Sequence, residues 1–375
     1  MPYYSLSLAE ITLLTNHLQE EILESPAIIN QGVLNELGIN TITGVEFKDT
    51  QFIALRKGGT TRPYVNGSSI NSEIGKLIQR ELEVKTSWNR VVDNIQNYRE
   101  KEPYHIDAES FEGLPNSTQQ IKMISTEYAE DVFSPIWFGK YDATDPTASG
   151  ATATGTPLDL YDGIFTKILN KINDEYTMTA GTGGAIDYSD TTKYTVKSGV
   201  TPEFVPATQI VTSGAFIDVT EATKTANWEA FLGFINGLPT KLRKAANGVY
   251  VYCSDATKAR IMDSYCRTYP ALTPETVGEL GVGFMNLPKV KLLSHPVLGA
   301  GDMLLATTEG NFDFGIDSLN NMNKIQTGLM ESDFNNVIFQ IQSTQGTRVR
   351  YFDAAHLAWN GLENTADTTL TGDYQ

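Results

Sequence analysis

Cysteine is scarce in this 375-residue sequence, which contains only Cys253 and Cys266 and no Cys-x-x-Cys pair. Histidine is equally sparse, and its four positions lie far apart along the chain: His17, His105, His295 and His356. These spacings exclude a disulfide framework and the usual zinc sites. We therefore expect no metal, and two buried free thiols of the kind found in proteins made in a reducing compartment.

Long hydrophobic runs are also missing, since no segment reaches the roughly 18 consecutive apolar residues of a membrane span. The first ten residues, MPYYSLSLAE, have neither the basic start nor the apolar centre of a signal peptide. We expect a protein that is made in the cytoplasm and has no membrane address.

Positive charge is in short supply, because 28 Lys and Arg residues stand against 45 Asp and Glu, a formal net charge of -17. Binding by neutralisation of phosphates is therefore excluded as the main activity, and any DNA that this protein encloses must be brought in by other machinery. The first 47 residues contain no Lys or Arg, and their acidic side chains are Glu10, Glu20, Glu21, Glu24, Glu36 and Glu46.

The common catalytic and nucleotide-binding motifs are absent. The sequence has no Gly-x-Gly-x-x-Gly, and Gly75-Lys76 lacks both the earlier Gly and the following Ser or Thr of a phosphate-binding loop. It also has no Gly-x-Ser-x-Gly and no His-Glu-x-x-His. We therefore predict no catalytic residues and no cofactor.

The first third of the chain contains an amphipathic helix and a long hairpin. Apolar residues recur at helical spacing from Leu6 to Leu23, and Ser25-Pro26 ends that segment. The segments 45–55 and 76–86 have strand character, and the glycine-rich segment 58–69 between them predicts a projecting tip. A basic group lies on this hairpin: Lys48, Arg56, Lys57 and Arg62.

The remainder of the chain predicts a long helix, an α/β module and a final pair of strands. Helices are expected over 117–138 and from Pro157 onward, with exposed loops over 142–155 and hairpins over 177–219. The module consists of a helix from Thr225, a strand at 248–252, a helix after Ser254, and strands at 290–293 and 303–306. Two last strands, 336–343 and 347–353, are expected to join through a turn at Thr344-Gln345-Gly346.

This order of parts resembles the HK97-type major capsid proteins of tailed bacteriophages. The local likeness is greatest from Trp228 to Asp317 and in the run Arg348-Val349-Arg350-Tyr351-Phe352-Asp353. The resemblance implies an α+β fold with an N-terminal arm (1–44), an extended hairpin called the E-loop (45–100), a peripheral or P domain with a spine helix and long β-sheet (101–220), an α/β axial or A domain (221–315) and a C-terminal return to the P domain (316–375).

The function implied by this resemblance is structural. The chain is expected to assemble as pentamers and hexamers into an icosahedral shell around double-stranded DNA, in a virion put together in the host cytoplasm. Expected helpers are a separate scaffolding protein, a portal and decoration proteins. The alternatives are an encapsulin-type nanocompartment shell protein and, from another class, a β-rich adhesin or glycan-binding protein.

The residues expected to make contacts between subunits are charged. A protein of net charge -17 must offset its self-repulsion wherever copies meet. We therefore predict that the basic group on the hairpin meets acidic surfaces of adjacent copies, including the acidic arm. The predicted contact residues are Lys48, Arg56, Lys57, Arg62, Glu20, Glu21 and Glu24.

Overall fold

The computed structural model describes residues 31–45, 47–56, 75–94, 128, 131–142, 157–180, 186–206, 214–316, 325–330 and 333–365. The helices are α1 Gln31–Glu36, α2 Pro135–Phe138, α3 Ile164–Glu175, α4 Ala226–Gly237, α5 Thr240–Arg243 and α6 Asp255–Thr268. The strands are β1 Ile39–Thr43, β2 Lys48–Arg56, β3 Gly75–Glu83, β4 Lys85–Asn94, β5 Tyr176–Met178, β6 Tyr194–Val196, β7 Val249–Cys253, β8 Glu275–Val277, β9 Gly281–Phe284, β10 Leu287–Ser294, β11 Leu305–Thr308, β12 Phe312–Ile316, β13 Ile325–Met330, β14 Asp333–Val349 and β15 Leu357–Trp359.

A six-stranded sheet with the order β15-β11-β7-β10-β9-β8 forms one module. Its central strand β7 is buried along its whole length and lies parallel to β10 and antiparallel to β11. Alternate residues of β7 face opposite sides of the sheet. Val249, Val251 and Cys253 belong to a core shared with α4 and α6, whereas Tyr250 and Tyr252 belong to a second core.

The α/β module confirms the sequence prediction closely. The predicted strand at 248–252 is β7, and Ser254 caps α6 because its Oγ accepts a hydrogen bond from the Thr257 amide at 3.2 Å. The predicted helix after Thr225 is α4. The strand predicted at 303–306 begins later, at Leu305, since the Leu304 amide bonds the Asn360 side chain instead of a strand.

The second sheet has the order β1-β12-β14-β13, and β4 also pairs with β14. Its longest strand, β14, has 17 residues and therefore spans about 56 Å. Between this sheet, the six-stranded sheet and α3 lies the second core, which contains Trp137, Phe312 and Phe314. The two sheets therefore share one hydrophobic interior.

The predicted final turn is wrong, because Thr344-Gln345-Gly346 lies inside the continuous strand β14. Gly346 pairs with Gly315 of β12, and a Cβ at position 346 would collide with the backbone oxygen of Glu83. The glycine is required there for the close approach of another chain segment. A glycine between two strand-like segments can therefore indicate close approach of another backbone instead of a turn.

Two further expectations are corrected. The helix predicted from Pro157 begins only at Ile164, because residues 157–159 form a single 3₁₀ turn and Gly163 is extended. A side chain at Gly163 would overlap the backbone of Trp137, so this position serves close packing against α2. The thiols also differ from the expectation, since Cys253 is buried but Cys266 is exposed on α6.

Several predictions fall partly or wholly outside the described residues. These are the helix at 6–23, the hairpin tip at 58–69 and most of the loop at 142–155. Of the helix predicted over 117–138, Tyr128 and residues 131–133 and 135–138 are helical. Region 177–219 contains the short β5–β6 hairpin that its pattern predicts.

The predicted domain boundary at residue 315 does not coincide with the division between the sheets. Strand β12 pairs with β14 in the second sheet, whereas β15, from the C-terminal segment, forms an edge of the six-stranded sheet. All of the predicted domain limits stay predictions.

Candidate assembly surfaces

Strands β2 and β3 confirm the predicted hairpin and form a two-stranded sheet of their own. On its inner face Ile53 and Leu82 are buried. On its outer face Phe52 is 67% exposed and Leu77 is 71% exposed. Since Leu77 lies opposite Ala54, it is a diagonal neighbour of Phe52, and the two form an exposed apolar patch.

The base of the hairpin lies on strand β12. Leu82 is fully buried, and a Cβ at Gly315 would come within 2.6 Å of the Leu82 Cδ2 atom. Val45 and Val84 complete this small cluster. An isolated two-stranded hairpin is at best marginally stable in water, so this contact stabilises its base.

A buried charge cluster joins the hairpin to the second sheet. Asp313 of β12 is fully buried, and its Oδ2 accepts hydrogen bonds from Nε of Arg348 and of Arg350, each at 2.8 Å. Arg348 also donates from Nη1 to Asp49 Oδ2 at 2.9 Å. Because Asp49 is in β2 and Arg348 is in β14, this pair ties the hairpin to the sheet.

A second cluster holds the other strand of the hairpin. Arg80 of β3 donates from Nε to the Arg350 carbonyl at 3.0 Å, forms an ion pair with Glu203 and lies 5.1 Å from the centre of the Phe352 ring. The backbone of Glu203 in turn donates to the buried carboxylate of Glu175 at 2.9 Å. Both hairpin strands are therefore anchored, and the direction in which the hairpin leaves the body is fixed.

A lysine near this base has the features of a catalytic group. Burial lowers the pKa of Lys167, and such lysines can act as bases or nucleophiles. Here, however, the Lys167 ammonium donates to the Thr347 carbonyl of β14, and neither of the two clefts described below is lined by it. Its contacts are those of a structural residue.

Two clefts of the described surface are open to solvent. One of about 330 Å³ is lined by residues including Asn247, Glu309 and His356, and another of about 430 Å³ includes Asp187, Asp302 and Glu363. Within the described ranges, no three His, Cys, Asp or Glu side chains are placed to hold a metal ion. Among the same residues, no helix combines the length and apolar character needed to cross a membrane.

The predicted contact residues are only partly described. Lys48 forms an ion pair with Glu81 within the hairpin at 2.5 Å, and its side chain is 36% exposed. The backbone of Arg56 lies at the end of β2, opposite Gly75. The remaining predicted contacts lie outside the described residues, so they stay predictions: Lys57, Arg62, Glu20, Glu21 and Glu24.

Sequence reasoning missed the residues that anchor the hairpin. Asp313 and Arg348 are 35 residues apart, and Asp49 and Arg348 are 299 apart. No local pattern links positions so distant. The available signal is the alternation Arg348-Val349-Arg350, which places both guanidinium groups on one side of an extended chain and indicates an acidic partner there.

Neither the family models nor the curated proteins include a match to this chain. Solved structures are similar in overall shape. The satellite phage P4 procapsid that includes the size determination protein is 12% identical, with 93% of this chain and 99% of that chain covered and a TM-score of 0.45. The capsid of the native GTA particle is 11% identical, with coverages of 91% and 93% and a TM-score of 0.49.

A third similar structure is the virus-like particle from Pyrococcus furiosus. It is 9% identical, with 92% of this chain and 97% of that chain covered and a TM-score of 0.41. Identities of 12% or less and TM-scores below 0.5 mark distant likenesses. The function of this chain must therefore be argued from its own surfaces.

Proposed function

We propose that this chain is the major capsid protein of a tailed-phage-type icosahedral shell, a structural subunit and not an enzyme. The observation that carries the proposal is the hairpin, whose base is anchored by buried charges while its outer face exposes Phe52 and Leu77. An anchored element that presents apolar side chains to solvent is expected to be covered by another molecule.

The occupant proposed for this surface is a neighbouring copy of the same chain. Identical subunits cover such projections with their neighbours in closed symmetric assemblies. In this account residues 1–44 form an arm and 45–100 the E-loop, and the two sheets belong to the P and A domains. The basic group Lys48, Arg56, Lys57 and Arg62 meets acidic side chains of adjacent copies, among them Glu20, Glu21 and Glu24.

The proposed assembly is a shell of pentamers and hexamers built in the host cytoplasm. Scaffolding, portal and decoration proteins are its proposed partners, and double-stranded DNA is its content. The net charge of -17 supports enclosure without sequence-specific binding, because the chain offers no general attraction for phosphate.

Deleting residues 58–67 tests this proposal, as does reversing three hairpin cations in R56E/K57E/R62E. Both variants are expected to stay folded by circular dichroism and to lose most of the shell yield of the wild type. The control K140E/K193E/K224E makes the same charge change away from the hairpin and is expected to assemble normally. Wild-type yields from both hairpin variants would refute the role of the hairpin.

A further inference from the structure

One end of the six-stranded sheet is basic. Lys241, Arg243 and Lys244 are exposed in and directly after α5, where Leu242 is buried and anchors the helix to the core. The chain then turns into β7, and Gly248 at that turn lies against the backbone of Lys289. Lys289 is also exposed. These four cations are called the basic end.

The basic end has no carboxylate of its own to neutralise it. None of its four cations forms an ion pair within the described part of the chain. The sequence contains no Asp or Glu between Glu229 and Asp255, or between Glu279 and Asp302. Glu309 lies beside the turn but remains exposed and unpaired with these cations. In a chain of net charge -17, such a group indicates a surface for an acidic partner.

The opposite end of the same sheet carries an acidic cleft, formed by Asp187, Asp302 and Glu363. The pairing of the strands fixes this placement. Leu305, three residues after Asp302, pairs with Tyr252 near the end of β7, and it also pairs with Trp359, which precedes Glu363. The basic end precedes β7, so the two charged surfaces are separated by about 17 Å of strand.

The acidic cleft has no cation among the described residues. None of the residues that line it there is Lys or Arg, and partial burial raises the pKa of the Glu363 carboxyl. A desolvated carboxyl gains most from a positive charge that arrives with a partner. Asp187 accepts a hydrogen bond from the Ser189 backbone amide, and Asp302 accepts one from the Gly214 backbone amide. These bonds fix the orientation of the two carboxylates.

We propose that the basic end of one copy contacts the acidic cleft of the next copy around a closed ring. Two different surfaces at opposite ends of one module are what a head-to-tail interface requires, and head-to-tail contacts generate rings when the rotation closes. This inference rests on the proposed shell function and names the charged contact that sets the register of the subunits within each ring.

Double-stranded DNA fits these observations less well as a partner. Duplex binding needs a continuous basic footprint, whereas here the cations occupy one end of a module whose other end is acidic. A second copy of the chain supplies an acidic surface for the basic end and a basic surface for the acidic cleft.

Three charge variants of the full chain test the proposal. K241E/K244E/K289E reverses the basic end, and D187N/D302N/E363K reverses the cleft while Asn retains an acceptor for the backbone amides. The third variant combines all six changes and so restores opposite charges across the interface. K140E/K197E/K224E is the matched control for the first variant, because it makes the same charge change at exposed lysines outside both surfaces.

Each single-surface variant is expected to lower the assembled fraction about tenfold at low salt, because the lost pairs recur at every interface. The combined variant and the control are expected to assemble nearly as the wild type does. Sedimentation velocity and electron microscopy measure these fractions, and circular dichroism confirms folding. For the combined variant, failure to recover assembly while it remains folded would overturn the proposal.

The outcomes also separate this inference from the shell function itself. Normal shells from both single-surface variants would refute the charged contact and leave the shell function intact. If the wild type forms small salt-sensitive rings but no shells, the contact stands and the shell function fails. Duplex DNA binding by the wild-type chain that K241E/K244E/K289E abolishes, with assembly unchanged, would assign the basic end to DNA instead.

Discussion

Arg348 and Asp313 form a buried ion pair across neighbouring strands, with 2.8 Å between Nε and Oδ2. Asp313 is fully buried and Arg348 is 3% exposed, so neither charge is compensated by water. Arg348 is also bonded to Asp49 at the base of the hairpin. Arg348 therefore links the buried carboxylate of the sheet to the base of the proposed assembly element.

Removing the buried carboxylate should be costly. Asp313→Ala leaves Arg348 buried without its nearest counter-charge, and such a loss typically destabilises a protein by about 3–5 kcal/mol. Urea unfolding measures the change. Asp263→Ala, which removes an exposed partner of Arg267, is the matched control and should have little effect. Equal stability of the two variants would contradict the account of the cluster.

The glycine inside β14 should not tolerate a side chain. Gly346→Ala places a Cβ against the Glu83 backbone, and a rigid overlap of this kind costs about 1–3 kcal/mol or more. Gly283→Ala is the control, since its nearest neighbour is the Val277 Cγ2 methyl at 3.3 Å. Thermal unfolding should show a clear loss for position 346 and a small one for position 283. The reverse order would show that close approach does not explain Gly346.

The exposed apolar patch on the hairpin should matter to assembly and not to folding. The double variant F52S/L77S removes side chains that are 67% and 71% exposed, so the isolated subunit should unfold at nearly the wild-type urea concentration. Covering such a side chain at an interface contributes about 1.5–3 kcal/mol, so shell yield should fall sharply.

Met285 provides the matched control for that experiment. It is 72% exposed at the turn between β9 and β10, far along the chain from the hairpin. Met285→Ser removes a comparably exposed apolar side chain and should leave the yield unchanged. Equal yields from F52S/L77S and the wild type would show that the patch is not an interface.

The two thiols should differ in reactivity. Burial raises the pKa of the Cys253 thiol far above its ordinary value, whereas Cys266 is exposed. Because the thiolate is the reactive form, a thiol-specific reagent at pH 8 should modify only Cys266 in the folded subunit. Unfolding in urea should expose both. Rapid modification of a folded Cys266→Ser variant would show that Cys253 is accessible.

The parts of the fold that sequence alone predicted are those with local signals. The buried run Val249–Cys253 and the Ser254 cap each have a physical cause within a few residues. Such features do not depend on where the rest of the chain lies.

The errors arose where tertiary contacts decide the structure. The sequence predicts a turn at Gly346 and a helix through Gly163, but both glycines are required because distant backbone passes close to them. The cluster of Asp313, Arg348 and Asp49 joins three strands that are far apart in sequence. Only the folded chain shows that these charges anchor the hairpin.

Electron microscopy of the purified full-length chain, alone and with a scaffolding partner supplied, tests the central claim most directly. The account predicts closed icosahedral shells in which five-fold vertices are visible, because the anchored hairpin and the charged ends of the six-stranded sheet are covered by neighbouring copies. A folded chain that remains monomeric at high concentration under both conditions would contradict it.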